Sequence, residues 1–176
     1  DRNTSGLVTA GKSLAGLQQL SEILRDRTVK KYYLTIVDGV IKDRQKIEGY
    51  LLKNEMTNQV KILKEAKGEA KPIATEYIPL ADNGQQTILK VHLITGRTHQ
   101  IRAHLASIGH PIVGDPKYGD KLINQTAQKK YRIRSQMLHS WQVVFPQLPE
   151  PLAYLSGKSF LAPLPAEFSR ICKEWK

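Results

Sequence analysis

Leucines spaced three or four positions apart form the first regular pattern in the chain. This spacing places them along one side of a helix, and it predicts a helix over 13–25 with Ser13 as its N-cap. The residues on the predicted apolar side are Leu14, Leu17, Leu20 and Leu24.

A second helix is predicted from Thr98 to the residue before Gly109. The glycine is a common helix terminator, and Pro111 follows it as a second stop signal. The apolar residues of this segment fall at positions i, i+4 and i+7, which predicts the stripe that the helix buries. They are Ile101, Leu105 and Ile108.

Much of the remaining chain consists of short runs rich in β-branched and aromatic residues, which favour strands. The predicted strands cover 30–41, 46–52, 58–63, 74–80, 87–94, 136–145 and 158–164, and a short helix follows the last of them. The Asn-Gly pair at 83–84 predicts a hairpin turn. Because strands outnumber helices and follow one another directly, the sequence predicts an α+β fold in a single domain, a largely antiparallel mixed sheet flanked by helices.

Positive charge is the property of the composition that says most about partners. The chain has 27 Lys and Arg against 16 Asp and Glu, so its formal net charge is +11. A surface this basic favours polyanions, of which nucleic acid is the commonest, although a basic protein without such a partner is the alternative. We expect a basic loop around 121–134 to contribute to the choice of such a partner. No apolar run approaches the roughly 18 residues of a membrane span, and the single cysteine, Cys172, suits a reducing cytoplasm.

Two arginines lie close to the predicted start of the second helix, within the stretch TGRTHQIRAH at 95–104. The peptide dipoles already make a helix N-terminus positive, so cations are unfavourable there unless an anion binds. Arg97 at such a terminus is suited to a phosphate or a carboxylate. Arg102 follows Ile101 by about 100° around the helix, at the margin of the buried stripe, and it needs an acidic partner if it is desolvated. The alternative is that both arginines are solvated surface residues.

Tyr32 and Tyr33 face opposite sides of their predicted strand, so one is expected to face the core and the other a cleft or solvent. An aromatic ring beside basic residues can stack on an unpaired base. The alternative is that both are ordinary strand aromatics.

The histidines do not have the spacing of a metal site. His99 and His104 are five positions apart, whereas zinc-binding pairs that share a helix face are four apart. The sequence also lacks a P-loop, a dinucleotide-binding fingerprint and a G-x-S-x-G motif. We therefore expect neither a metal nor a cofactor.

Four segments in order along the chain resemble the motifs of the pseudouridine synthases that modify ribosomal and transfer RNA. They cover 1–7, 30–39, 95–120 and 137–145, so the resemblance spans nearly the whole chain. It is greatest to the branch that acts on large-subunit ribosomal RNA, whose first motif reads H-R-L-D-R-x-T-S-G. The resemblance implies that the chain converts uridine to pseudouridine in RNA without a cofactor.

The resemblance also implies catalytic roles for three residues. Asp1 matches the essential carboxylate of the first motif. Tyr33 matches a tyrosine that stacks on the target base and is implicated in proton transfer, and Arg102 matches the arginine that pairs with the aspartate. Three roles stay open for the carboxylate: attack on the sugar, addition to the base, or removal of a sugar proton.

Four further positions are expected around the substrate. Ile101 and Leu138 match apolar pocket positions, while Arg97 and His99 are expected to meet the RNA backbone or to brace the loop. The motif residues that normally precede the aspartate are missing, so we expect 1–176 to be the catalytic domain of a longer protein, without its N-terminal part and any N-terminal RNA-binding module. The expected partner is 23S-type ribosomal RNA, bound by a monomer. The alternative function is a non-catalytic RNA-binding module of the same fold.

Overall fold

The computed structural model describes residues 1–173 and 175. Within them the strands are β1 (Ser5–Gly6), β2 (Lys30–Asp38), β3 (Gln45–Asn54), β4 (Gln59–Leu63), β5 (Lys71–Asp82), β6 (Gln86–Leu93), β7 (Leu138–Val144) and β8 (Ser159–Leu161). They form one sheet in the order β1-β7-β2-β6-β5-β3-β4. The β8 strand pairs with the later part of β7, on the same edge as β1. The β1–β7 pair is parallel and the others are antiparallel, which confirms the predicted α+β fold with a largely antiparallel mixed sheet.

The β2 strand lies inside the sheet, where it pairs with β6 on one side and β7 on the other. Its residues Ile36 and Val37 are fully buried, as are Leu89 and Val91 on β6. The β5–β6 hairpin turns at the predicted Asn-Gly pair, because Gly84 adopts φ +84°, which a residue without Cβ does at little cost. The central strands are therefore anchored by the core, and the ends of these strands are where functional side chains can be presented.

The helices are α1 (Leu14–Arg25), α2 (Gln100–Ser107), α3 (Lys121–Tyr131) and α4 (Ala166–Cys172). The α1 helix has the predicted bounds, and the Ser13 hydroxyl accepts a hydrogen bond from the Gly16 amide at 3.1 Å. Its predicted apolar side is wrong, since Leu14 and Leu17 are 72% and 51% exposed. The buried face instead carries Gly16, Leu20 and Ile23, and its two apolar side chains pack in a cluster with Val143 and Phe145.

The segment predicted as a basic loop over 121–134 is mostly helical, because α3 occupies its first eleven residues. Asp120 caps this helix by accepting hydrogen bonds from the amides of Leu122 and Ile123. Arg132 ends it in the left-handed conformation at φ +59°, and the chain then runs irregularly to β7. Among the described residues, no helix combines the length and the apolar character needed to cross a membrane.

The α2 helix begins at Gln100, two residues later than predicted, and His99 is its N-cap at φ +52°. Ile101 and Leu105 are buried as predicted, but Ile108 caps the C-terminus of the helix and is 36% exposed. Every residue from Gln100 to Leu105 is buried, because α2 packs closely against β4 and β5. The helix is therefore enclosed on most sides, and its polar side chains need partners inside the protein.

Candidate active site

Gln100 fixes the loop that leads into α2. Its carbonyl oxygen accepts hydrogen bonds from the Thr95 hydroxyl at 2.8 Å and from the Arg97 amide at 3.1 Å. Its side-chain nitrogen donates to the backbone oxygen of Ala74 on β5 at 3.0 Å. The start of the helix is thus tied to the sheet through one buried amide, which sets where the neighbouring side chains project.

Arg102 lies in the first turn of α2 and is 5% exposed, so it is not at the margin of the core as the sequence predicted. Its Nε and Nη2 donate to the two carboxylate oxygens of Asp115 at 2.7 and 2.8 Å. Its Nη1 lies 3.4 Å from Oδ2 of Asp1. A bidentate carboxylate compensates the desolvation of a guanidinium far better than a single contact does. Asp115 is therefore the principal partner of Arg102, and Asp1 is the second.

Asp115 is completely buried, yet its hydrogen-bonding capacity is well satisfied. Besides Arg102, the amides of Lys117 and Tyr118 donate to its Oδ1 at 2.8 and 3.1 Å. Burial alone would raise the pKa of this carboxyl, but the Arg102 guanidinium and the two amides outweigh burial and hold the pKa below its usual value. Asp115 is thus a negative charge, fixed in position, that pairs with the Arg102 guanidinium.

The Asp1 side chain is 16% exposed and lies between Arg102 and His99. His99 Nε2 is 3.6 Å from Oδ1 of Asp1, which is too long for a hydrogen bond. Burial, followed by the positive charges of Arg102 and Lys117, lowers the pKa of His99 to about 4, so the ring is neutral at pH 7. Its Nδ1 is 2.9 Å from the Tyr118 hydroxyl. His99 therefore supports Asp1 as a neutral, oriented ring, and the two do not form an ion pair at neutral pH.

Asp1 opens onto a pocket of about 240 Å³, called here the Asp1 pocket. Six of the seven residues singled out in the sequence line it, and the seventh, Arg102, reaches it through its contact with Asp1. The lining residues are Asp1, Thr4, Lys31, Tyr33, Leu93, Gly96, Arg97, His99, Gln100, Ile101 and Leu138. The pocket thus combines a carboxylate and an aromatic ring with apolar walls and two cationic side chains.

Tyr33 enters the Asp1 pocket from β2, where it pairs with Ser140 of β7 next to a register shift. Burial raises the pKa of its hydroxyl, and a hydrogen bond with Ser140 only partly opposes that rise. Tyr32 does not line this pocket; its ring stacks on His92 at 4.9 Å, with Lys90 Nζ 4.6 Å from its centre. The two adjacent tyrosines therefore have different surroundings, and only Tyr33 is placed to meet a ligand in the Asp1 pocket.

Lys31 and Thr4 are pocket residues that the sequence did not indicate. Lys31 precedes Tyr33 by two positions on β2 and so projects from the same face, which the period of a strand alone could have shown. Burial lowers the pKa of its ammonium group. The Thr4 hydroxyl is buried, and no described residue hydrogen-bonds to it. Lys31 therefore adds a cationic group to the pocket, and Thr4 adds a hydroxyl without a partner among the described residues.

Asp115 and Tyr118 were missed as well, although both lie inside the motif region 95–120. The segment GDPKYGD at 114–120 lacks the glycine spacing of a phosphate-binding loop, so its local pattern does not mark it as a site. A buried arginine requires an acid, and the aspartate nearest in sequence after α2 is Asp115. In residues 1–173 and 175 no group of three or more His, Cys, Asp or Glu side chains is arranged to hold a metal ion.

The fold resembles two solved human structures. One is described as Human RNA Pseudouridylate Synthase Domain Containing 1, with a TM-score of 0.62, 23% identity, and coverage of 93% of this chain and 73% of that one. The other is Human RNA Pseudouridylate Synthase Domain Containing 4, with a TM-score of 0.71, 22% identity, and coverage of 92% and 67%. At this level of identity, the likeness establishes the architecture.

Sequence relatives define the family. The model of the family described as RNA pseudouridylate synthase matches residues 1–107. Ribosomal large subunit pseudouridine synthase D of Nitrosomonas europaea is 34% identical over 174 residues, which cover 97% of this chain and 48% of the relative. Ribosomal large subunit pseudouridine synthase C of Pasteurella multocida is 36% identical over 146 residues, which cover 82% and 44%. The chain belongs to the RNA pseudouridylate synthase family, and it spans about half the length of these curated relatives.

Proposed function

We propose that residues 1–176 form the catalytic domain of an isomerase that converts uridine to pseudouridine in large-subunit, 23S-type ribosomal RNA in the cytoplasm. The observation that carries this proposal is the convergence of Asp1, Tyr33 and Arg102 at one pocket, although they come from three distant segments. Family membership and the names of the relatives support the reaction and the RNA. All the groups come from one chain, so a monomer suffices.

The reaction is an isomerisation and needs no redox partner. The bond between N1 of the base and C1′ of the sugar breaks, the base rotates, and a bond forms between C5 and C1′. N1 gains a proton and C5 loses one, so the atoms balance. The target uridine must first leave its stack to reach the pocket, at a cost of a few kcal/mol.

Each pocket residue has a proposed role that follows from its chemistry. Asp1 supplies the carboxylate that acts on the nucleotide, while Arg102 favours its charged form and Asp115 holds Arg102. Tyr33 offers a ring for the flipped base and a hydroxyl that its raised pKa keeps protonated. Ile101 and Leu138 form the apolar walls.

The cationic residues at the rim are assigned to the RNA backbone. Arg97 and Lys31 both line the pocket and can meet phosphates on either side of the flipped nucleotide. His99 lacks the charge for this task at neutral pH, so we assign it to bracing Asp1 and the loop before α2.

A tritium-release assay tests the proposal. The full-length protein is incubated with large-subunit ribosomal RNA transcribed in vitro with tritium at C5 of uridine, and tritium appears in water as pseudouridine forms. We expect D1N to release none while still binding the RNA, and D26N, which changes an exposed acid at the end of α1, to match the wild type. Release by D1N at the wild-type rate would remove Asp1 from the mechanism. RNA binding by the wild type without any release would favour the non-catalytic module.

A further inference from the structure

A second pocket lies on the other side of the N-terminal segment 1–5. Asp1 and Thr4 line the Asp1 pocket, whereas Asn3 and Ser5 line this second one, and Leu138 borders both. It has a volume of about 280 Å³, and its other walls are the segment 132–137 and the start of α4. We call it the Gln136 pocket. The two pockets are neighbours, so one RNA strand can reach both.

Gln136 is the feature that marks this pocket as a binding site. Its side chain is 5% exposed and lines the pocket, and its carbonyl oxygen is buried without a hydrogen-bond partner in the described part of the chain. A buried acceptor without a partner destabilises the fold, and an apolar side chain of similar size would avoid that penalty. Rotation about the last side-chain torsion of glutamine is soft, so the amide can turn its oxygen and nitrogen towards a ligand. The amide then offers a donor and an acceptor side by side.

The rim of the Gln136 pocket is cationic. Arg132 and Arg134 both line it and are exposed, and neither guanidinium forms an ion pair within residues 1–173 and 175. Glu167, an acid on the same rim, already contacts Arg170 at 3.3 Å. On the wall formed by β1, the Ser5 hydroxyl is held by Nδ1 of His139 at 2.8 Å. The pocket therefore joins a buried amide to an open pair of arginines, which matches the two ends of a nucleotide.

We propose that the Gln136 pocket binds a second unpaired nucleotide of the RNA, close in sequence to the target uridine, and that its preferred base is adenine. The Gln136 amide pairs with the amino group and a ring nitrogen of the base, an arrangement that glutamine commonly makes with adenine. Arg132 and Arg134 contact the phosphates of that nucleotide. The inference rests on the proposed function, because it takes an RNA with its uridine in the Asp1 pocket as the ligand.

The test measures binding, so it does not depend on turnover. Fluorescent RNA heptamers with a central uridine carry adenosine, cytidine or purine riboside at the six flanking positions; purine riboside lacks the amino group of adenosine. Their dissociation constants are measured by anisotropy with the full-length wild type and with Q136L. We expect the wild type to bind the adenosine heptamer roughly tenfold more tightly than the other two. Q136L should bind all three alike and melt at or above the wild-type temperature.

Arginine variants test the phosphate contacts separately. R132A and R134A should each weaken binding of the three heptamers by a similar factor and reduce the slope of log Kd against log salt by about one. R25A is the matched control, because Arg25 is an exposed arginine on α1 that lines neither pocket. It should leave the dissociation constants and the slope unchanged.

Several results would overturn the inference. One is a wild type that binds the three heptamers alike, and another is a Q136L variant that keeps the preference for adenosine. If Q136L does not fold, the dissociation constants of the wild type for the adenosine and purine riboside heptamers test the inference instead. Tritium release without base preference refutes this inference alone. Base preference without tritium release refutes the proposed isomerase activity and leaves the second pocket standing.

Discussion

Arg102 binds Asp115 more closely than it binds Asp1. Two guanidinium nitrogens lie 2.7 and 2.8 Å from the buried Asp115 carboxylate, and the third lies 3.4 Å from Asp1. The Arg102 guanidinium is therefore held in place by Asp115, whatever position the Asp1 side chain takes. Asp1 keeps a favourable positive neighbour without being locked by it, so its carboxylate can move towards a substrate.

Loss of the Arg102 side chain should destabilise the protein as well as stop the reaction. R102A leaves Asp115 as a buried charge without its main partner, and breaking such a pair costs about 3–5 kcal/mol. R102K keeps the charge but not the bidentate geometry, so its loss should be smaller. The free energy of unfolding from urea titration measures both. R44A is the control, because it breaks an exposed pair with Glu76 and should cost at most about 1 kcal/mol. An unchanged urea midpoint in R102A would show that the pair contributes nothing.

Asp115 should act on the reaction through Arg102. D115N keeps the shape of the side chain but removes its charge and one acceptor, so the free energy of unfolding should fall by about 2 kcal/mol. Because Asp115 does not line the Asp1 pocket, kcat should fall while KM for RNA stays within about twofold. Kinetics at a temperature where the variant is folded separate the two effects. D43N, which changes an exposed acid, is the control. A rise in KM with normal kcat would instead assign Asp115 to RNA binding.

Local patterns predicted most of the secondary structure, because each pattern depends on neighbours in sequence. The hairpin at Gly84 and the Ser13 cap are examples. The side of α1 that packs inward was not predictable from its leucines. The helix buries Gly16, Leu20 and Ile23, whereas Leu14 and Leu17, which the spacing placed on the apolar side, are exposed. Such a choice depends on the shape of the partner surface.

In the candidate site, too, the sequence predicted local features but not the contacts between distant segments. The predicted start of α2 pointed to Arg97 and Arg102 as unusual, and that reasoning required an acid near Arg102. It did not identify Asp115, because the pairing depends on how the chain folds back after the helix. The convergence of Asp1 with Tyr33 was expected from the family resemblance alone. No periodicity links a loop residue to a strand residue 32 positions later.

The Tyr33 hydroxyl should contribute to turnover separately from its ring. Y33F keeps the stacking surface, so RNA affinity should be close to normal while kcat falls about a hundredfold or more if the hydroxyl transfers a proton. Y33A also removes the stacking surface, which is worth about 1–3 kcal/mol of binding. Y32F is the matched control, since Tyr32 does not line the Asp1 pocket. Equal kcat values for Y33F and the wild type would confine Tyr33 to stacking.

Buried histidines should make the protein unstable in mild acid. His104 is 2% exposed and lies 2.9 Å from the Thr75 hydroxyl, and burial lowers its pKa from 6.5 to about 4. Between these two values the unfolded chain binds a proton that the folded protein does not. Stability is therefore lost as the pH falls from about 6.5 to about 4, by up to about 1.4 kcal/mol per pH unit for such a group. His99 acts in the same direction, since its pKa is also lowered to about 4.

Urea titrations between pH 4 and 7 measure this dependence on the free energy of unfolding. H104N removes one titrating ring, so its stability should fall less steeply with acid than that of the wild type. T75V is the control, because it keeps the ring but removes the hydroxyl that contacts His104 and also accepts a hydrogen bond from the Gln100 side chain. It should be less stable at every pH with nearly the wild-type slope. If H104N and the wild type lose stability in parallel, His104 binds its proton equally well in the folded and unfolded states, and its burial carries no pH-dependent cost.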